Sequence, residues 1–378
     1  MSFQGLKFIS NSLFLINNLK ELLLHNNDLR SIPEGICRFK TLEKLNFSYN
    51  KIKHIPPELG RLVNLKELYL NDNFISEIPW EMGSLYNLEI FNLSNNPLVP
   101  PFNSLSKDRS VIRFCREHNI NYLPPCDRSW LEVVYRPENS FETISVGTYN
   151  ILCNFFASKL TYAPAWIINP DYRKDILIQN IISYNLDILY GKKDNVVLVT
   201  VLEKGLGHTI IVANTHLFWD PQYTDIKLFQ SILLLEELEK IRIKHKNASI
   251  LLMGDFNSLP DSSVYKLMVE RKIGGLDFDK YDYAPFNDGF RHSMKFLDAY
   301  ENQDLAFTNF TPHFRGVLDY IFHTEGLVRS SVISSVEEEY MERTVGLPNI
   351  HFPSDHILIG AQFQIKGIPK RMYNSMSK

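Results

Sequence analysis

"LLMGDFNSLP", residues 251–260, decides how the C-terminal two-thirds of this chain folds. The apolar run into Gly254 reads as a buried strand. Asp255 and Asn257 then follow two residues apart. Side chains alternate along a strand, so this spacing predicts that both point the same way from the strand's end. The same design recurs elsewhere. "SVGTYN" ends at Asn150, and "TIIVANTH" ends at Asn214 and His216. "GVLDYIF" places Asp319 inside an apolar strand, and "PSDHILIGAQF" starts with Asp355 and His356. One such strand end is usually a hydrogen-bonded structural detail. Five converging along one edge of a packed sheet pair would ring a pocket. Asn150, His216, Asp255, Asn257, Asp319 and His356 together suit phosphodiester hydrolysis. They offer oxygen ligands for Mg²⁺, a base for water and imidazoles for a charged phosphorane.

The chain has 378 residues, enough for two domains, with 44% hydrophobic and 22% charged residues. A net charge of −3 gives no global attraction to nucleic acid, so RNA binding requires a local patch. No signal peptide and no membrane-spanning run is expected. Cys37, Cys115, Cys126 and Cys153 are unclustered and read as reduced thiols, not as a zinc site.

The first third is a repeat. "LKELLLHNN", "LEKLNFSYN", "LKELYLNDN" and "LEIFNLSNN" align without gaps, their first leucines (Leu19, Leu42, Leu65, Leu88) in equal steps of 23 residues. Each closes on an asparagine: Asn27, Asn50, Asn73 or Asn96. This is the leucine-rich-repeat pattern, in which every repeat adds one short strand to a horseshoe. The asparagine side chain would satisfy backbone groups inside the turn. "GLKFIS" (5–10) matches the second half of a further repeat. "SLSKDRSVIRFCREH" predicts a closing helix with Ser104 or Ser106 as N-cap. The concave positions, including Lys66, Glu67, Tyr69, Asn71 and Asp72, form a surface for another protein.

"GTYNIL", "ANTHLFWDP", "LLMGDFNS", "FRGVLDYIF" and "FPSDH" resemble, in order, the endonuclease/exonuclease/phosphatase superfamily. More narrowly, with the repeats, they resemble the leucine-rich-repeat poly(A) deadenylases of the Not complex, the carbon catabolite repressor protein family. The resemblance implies an Mg²⁺-dependent 3′→5′ exoribonuclease, cytoplasmic and nuclear. It implies that Asp255 takes a proton from the attacking water and that Asn257 aligns water and phosphate. His356 would stabilise the transition state, held by Asp319. Asn150 and His216 would contact phosphate or metal. Asp255, Asn150 and Asp355 become the metal-ligand candidates. Trp219, Pro221 and Phe314 become the substrate contacts, Pro221 and Phe314 sandwiching the 3′-terminal adenine of poly(A) RNA. The repeats would bind the second deadenylase subunit of the Not complex.

One part of that pattern is missing. The family carries a glutamate, its principal Mg²⁺ ligand, at the end of a central strand. Here the helix "YRKDILIQNIISYNLDIL" is present, but at Leu189 the resemblance jumps to a stretch that comes much later in the family. Asp187 and Glu203 do not replace the glutamate by pattern. A misread or spliced-out segment, a contracted enzyme with a substitute ligand and a catalytically silent scaffold remain open. The intact catalytic positions favour the first. A phosphoinositide or sphingolipid phosphodiesterase fits poorly, because the Trp219–Pro221 and Phe314 neighbourhoods resemble the deadenylases.

The expected architecture is α/β: a repeat solenoid with a helical cap over 1–120, then linker and nuclease entry over 121–143. A two-sheet α/β sandwich follows over 144–367, shortened near 189–193, with a tail over 368–378. "LFQSILLLEELEKIRIKH" predicts an outer helix whose Leu/Ile stripe is core.

Overall fold

The computed structural model describes residues 2–105, 108–119, 124–133, 141–191, 197–204, 208–246, 248–274, 289–303 and 305–369. It divides into two compact units. The first comprises the repeats to Pro124, Asn154–Tyr172 and Glu342–Val345. The second comprises Pro125–Cys153, Arg173–Met341 and the chain from Gly346.

In the first unit each repeat contributes one three-residue strand: β1 (Glu21–Leu23), β2 (Lys44–Asn46), β3 (Glu67–Tyr69) and β4 (Ile90–Asn92). They form a parallel sheet in sequence order, with Leu22, Leu45, Leu68 and Phe91 in one register row. "IPEGI", "IPPEL" and "IPWEM" become short 3-10 turns at Glu34–Arg38, Pro57–Arg61 and Trp80–Ser84. From Leu24 to Leu93 the leucines and isoleucines between strands and turns are buried in one core. The asparagines form a ladder. Asn50 Nδ2 donates to Leu24 O (3.0 Å) in the preceding repeat and to Phe47 O (2.9 Å) in its own, while Oδ1 accepts from Leu29 N at 3.1 Å. The half repeat at 5–10 joins the ladder too, since Leu6 N donates to Asn27 Oδ1 at 3.0 Å.

The closing helix α1 spans Ser110–His118, later than the sequence suggested. Ser104 ends a separate 3-10 turn, and Ser106 lies outside the described residues. The N-cap is Arg109, whose side chain makes no capping bond, and the Asp108 carboxylate one residue earlier accepts from Ser110 N at 2.8 Å. A short helix α2 (Asn154–Ala157) also belongs to this unit.

The residue before each ladder asparagine is left-handed: Asn26 (φ 55°), Tyr49 (53°), Asp72 (55°) and Asn95 (57°). Asn and Asp tolerate that conformation, whereas an aromatic does not. Tyr49 is also 54% exposed, so it gains little burial in return. Tyr49→Asn is therefore expected to raise stability by about 0.5–1 kcal/mol in urea titrations.

The second unit holds two five-stranded sheets. Its chain runs β5 (Trp130–Glu132), β6 (Phe141–Tyr149), α3 (Pro170–Ser183, whose first turn falls in the other unit), β7 (Ile188–Gly191) and β8 (Val197–Lys204). It continues with β9 (His208–His216), α4 (Thr224–Lys244), β10 (Ser249–Asp255) and α5 (Ser263–Glu270). Short strands β11 (Lys272–Ile273), β12 (Phe290–Arg291), β13 (Phe296–Asp298), β14 (Asn309–Thr311) and β15 (Phe314–Gly316) come next. The chain ends in β16 (Asp319–Thr324), β17 (Leu327–Ile333), α6 (Glu338–Glu342) and β18 (Ile359–Pro369). One sheet is ordered β13-β16-β10-β9-β8, the other β5-β17-β18-β6-β7. This is an α/β sandwich. Along β10, Ile250 and Leu252 pack beneath α4 and α5 with Ile232, Leu235 and Leu267. Leu251, Met253 and Asp255 therefore take the opposite face, toward the other sheet. The stripe of α4 is core as expected, and the helix starts four residues before "LFQS". Among the described residues no helix is long and apolar enough to cross a membrane. All four cysteines are free thiols, and burial pushes the Cys115 thiol up to about 12.

Candidate active site

Strand register assembles the cluster. β10 pairs antiparallel with β16 so that Asp255 lies directly opposite Asp319, and it pairs parallel with β9 so that Asp255 neighbours His216. Gly254 makes this approach possible. Its φ is +135°, and a Cβ there would lie 2.0 Å from Thr215 O. Asn150 follows the last residue of β6. His356 bridges to Asn309 three residues before β18 begins.

Asp255, Asp319 and His356 are each at least 95% buried, and ligand-capable atoms of the three lie within 4.8 Å of one another. His356 Nδ1 donates to Asp319 Oδ2 at 2.7 Å, and Nε2 stands 3.6 Å from Asp255 Oδ2. Asn150 Nδ2 donates to Asp255 Oδ2 at 2.7 Å. His216 Nε2 stands 3.5 Å from the same oxygen, and its Nδ1 is buried without a hydrogen-bond partner among the described residues.

Burial opposes charging of His356 more than any other single influence. Asp319 and Asp255, with the Asp319 hydrogen bond, together outweigh it and raise the imidazole to about 10. Burial, then the Asp319 charge, pushes the Asp255 carboxyl above its usual range against the pull of His356 and His216. The cluster thus holds an imidazolium between two carboxylates, one of them under net repulsion.

Two expectations need correction. Asn257 is not in strand alternation with Asp255, because the strand stops at Asp255 and Asn257 is left-handed (φ 46°). Its backbone N donates to Asp255 Oδ1 at 2.9 Å and its Nδ2 to Leu217 O at 2.9 Å. Asp319 opens its strand instead of lying inside it. Asp355 stands apart from the three-residue cluster. Its carboxylate accepts from Ser354 Oγ (3.3 Å) and Asn309 Nδ2 (3.4 Å). Trp219 (62% exposed), Pro221 and Phe314 (37%) are outside the cluster. Phe314 is tied to it through backbone: β15 pairs with β14, whose Asn309 bridges to His356.

Sequence reasoning missed the supporting groups. Thr308 Oγ1, fully buried, accepts from both Leu318 N and Asp319 N. Ser354 Oγ donates to Asn150 O at 2.6 Å. Lys227 Nζ, on α4, donates to Asn257 O at 2.8 Å. Only Ser354 had a local signal, its place in "SDH".

The residues suit a divalent cation. Among the described residues Asp319 Oδ1 is buried without a partner, and Asp255 carries an unfavourable charge that a cation would relieve. The two carboxylates and the Asn150 side-chain oxygen would hold it. Both Asp255 oxygens accept hydrogen bonds, so Asp255→Asn sets an amide N–H against the Asn150 or Asn257 donor, and the metal-free variant should melt about 2–4 °C lower, the shift about 1 kcal/mol gives in a domain this size. The same variant should lose any Mg²⁺-induced stabilisation. Differential scanning calorimetry with Mg²⁺ and with EDTA reads both.

Comparison with known proteins fits this geometry. Residues 212–356 match the Endonuclease/Exonuclease/phosphatase family, residues 17–73 match Leucine rich repeat, and 63–107 match Leucine Rich repeats (2 copies). Nucleases of the first family generally depend on a divalent metal. The structure of ANGEL2, a 2′,3′-cyclic phosphatase, superposes with a TM-score of 0.55 at 20% identity, covering 63% of this chain and 99% of that one, and so supports the fold. The probable CCR4-Not complex 3′-5′-exoribonuclease subunit Ccr4 of Vairimorpha ceranae is 46% identical over 450 residues, 97% of this chain and 94% of the relative. The corresponding protein of Enterocytozoon bieneusi is 46% identical over 456 residues, 98% and 95%. Alignments of 450 and 456 positions exceed the 378 residues of this chain, so the relatives carry residues that it lacks. With both its repeats and its sandwich matched almost end to end, the chain belongs to the family of the CCR4-Not complex 3′-5′-exoribonuclease subunit Ccr4.

Proposed function

We propose that this chain is an Mg²⁺-dependent 3′→5′ exoribonuclease that shortens the poly(A) tails of mRNA, in cytoplasm and nucleus, as a subunit of a Not-type complex. The observation that carries this reading is the Asp319–His356–Asp255 row with Asn150 on Asp255. A bound Mg²⁺ would supply Lewis-acid stabilisation of charge on the scissile phosphate. Asp255, its basicity raised by burial, accepts the proton of the attacking water. Asn150 and the Asn257 backbone fix the direction of that carboxylate. His356, kept cationic and turned by Asp319, faces the oxygens on which charge develops. Trp219, Pro221 and Phe314 would hold the terminal adenine by stacking. The repeats would dock the second deadenylase subunit across Lys66, Glu67, Tyr69, Asn71 and Asp72. There Glu67 already bridges Lys44 (2.6 Å) and Tyr69 (3.0 Å).

A second reading, a catalytically impaired scaffold that recruits another nuclease, rests on a specific observation. Among the described residues the grouped metal ligands include only two carboxylates, and the relatives' alignments are longer than this chain. Incubating the full chain with labelled oligo(A) and Mg²⁺ separates the two. Stepwise shortening that Asp255→Ala abolishes supports the enzyme. Intact oligo(A) from both proteins sinks it in favour of the scaffold.

A further inference from the structure

The second unit contains a cavity of about 210 Å³ whose lining includes none of Asn150, Asp255, Asp319 and His356. Its polar lining comes from Cys126, Arg128, Tyr149, Asn180, Tyr184 and His351, joined by Gln179 on an exposed stretch of α3. Among the described residues none of the lining is acidic.

Arg128 is 93% buried by its 7% exposure, and its two hydrogen bonds go to uncharged carbonyls. Nε donates to Ser334 O and Nη1 to Leu358 O, both at 2.8 Å. Nη2 is buried with no partner among the described residues. A buried guanidinium with a free N–H and no counter-ion is costly, and natural proteins rarely leave one so. Its positive field reaches the lining groups, pulling against burial on Tyr184 and Cys126. Two exposed acids outside the lining also act there: Glu337, then Asp127, on Cys126, and Asp127 on Tyr184.

His351 is a second polar group of the lining. Asn349 Nδ2 donates to the Tyr340 oxygen at 3.0 Å, and that hydroxyl lies 2.9 Å from His351 Nδ1. These contacts tie the imidazole to Tyr340 and Asn349. Burial lowers the His351 pKa and so keeps the ring neutral. Ile176, Tyr184 and Phe352 supply apolar wall.

We propose that this cavity binds a small oxyanion, a phosphate or carboxylate group on a flat apolar body, with Arg128 as its counter-charge. Such a site is separate from the catalytic cluster and independent of the proposed reaction.

Isothermal titration calorimetry on the full chain in EDTA tests it with phenyl phosphate, benzoate and benzyl alcohol. At least one anion should bind one-to-one and at least tenfold tighter than the alcohol. The preferred anion identifies the head group. Gln179→Trp, which plugs the mouth from an exposed helix position, should weaken that binding at least tenfold, as should Arg128→Met. Asp255→Asn should leave it within threefold. If Arg128→Met does not fold, Gln179→Trp decides alone. Failure of both anions to outbind the alcohol overturns the proposal. So does binding that follows Asp255→Asn and ignores Gln179→Trp, which would place the anion at the catalytic cluster.

Discussion

Replacing Asp319 with alanine should cost about 3 kcal/mol of stability, and more at mild acidity than at high pH. Removing one partner of a buried, hydrogen-bonded ion pair typically costs 3–5 kcal/mol, about the low end applying here because Asp255 remains 3.6 Å from the imidazole. The pH dependence follows from His356. Its folded pKa, about 10, lies above the ordinary value of 6.5. A raised pKa means the folded state holds the proton more tightly. The contribution to stability is therefore complete below the unfolded pKa and is lost as pH rises through about 10. Without Asp319, the largest raising influence disappears, so the imidazole titrates at lower pH. The gap in unfolding free energy between the two proteins should be widest at pH 5–6.5 and shrink toward pH 10. A gap that widens with pH would show that Asp319 does not hold an imidazolium. If the chain degrades oligo(A), the rate should also fall by about 10²–10⁴-fold, the range for loss of an oriented, charged catalytic group. Asp319→Asn should recover part of it, because an amide oxygen can still accept from Nδ1.

The site's composition could be read in the sequence, but its arrangement only in part. Strand ends bearing Asn150, His216, Asp255 and His356 announce themselves, because each polar group interrupts an apolar run. Nothing local says that Asp255 and Asp319 share a register position, since that depends on an antiparallel pairing across more than sixty residues of chain. The Asn257 error has the same root. Alternation holds only while the strand continues, and one left-handed residue ended it. Thr308 and Lys227 were invisible because they act through backbone atoms of neighbours distant in sequence. The helix start at Ser110 was misplaced because its N-cap, Arg109, is a poor capping residue, while Ser104 and Ser106 just before it are of the favoured type. The solenoid, by contrast, was legible throughout. Every repeat makes the same contacts with the next, so sequence period and structural period coincide.

That regularity makes the solenoid's weakest substitution easy to locate. Asn73→Ala should lower the stability of the repeat unit by about 3 kcal/mol, while Asn27→Ala should cost less than half as much. Asn73 Nδ2 donates to Phe47 O at 3.0 Å and Leu70 O at 3.1 Å, and Oδ1 accepts from Ile52 N at 3.0 Å. Alanine leaves these backbone groups unpaired in a region where Phe47, Ile52 and Leu70 have no exposure at all. Each buried unsatisfied group costs about 1–3 kcal/mol, and water has no route in to replace the amide. Asn27 serves the end of the stack. Its Oδ1 accepts from Gln4 N and Leu6 N, both on chain that is half-buried or exposed and can turn to solvent. Asn73→Asp sharpens the test. It keeps the oxygen that accepts from Ile52 N but brings a negative charge against the carbonyls of Phe47 and Leu70. If the ladder's value lies in donation to those carbonyls, aspartate will be worse than alanine in urea unfolding. If the side chain merely fills space, aspartate will be nearly silent, and the fixed place of asparagine in all four repeats would need another cause.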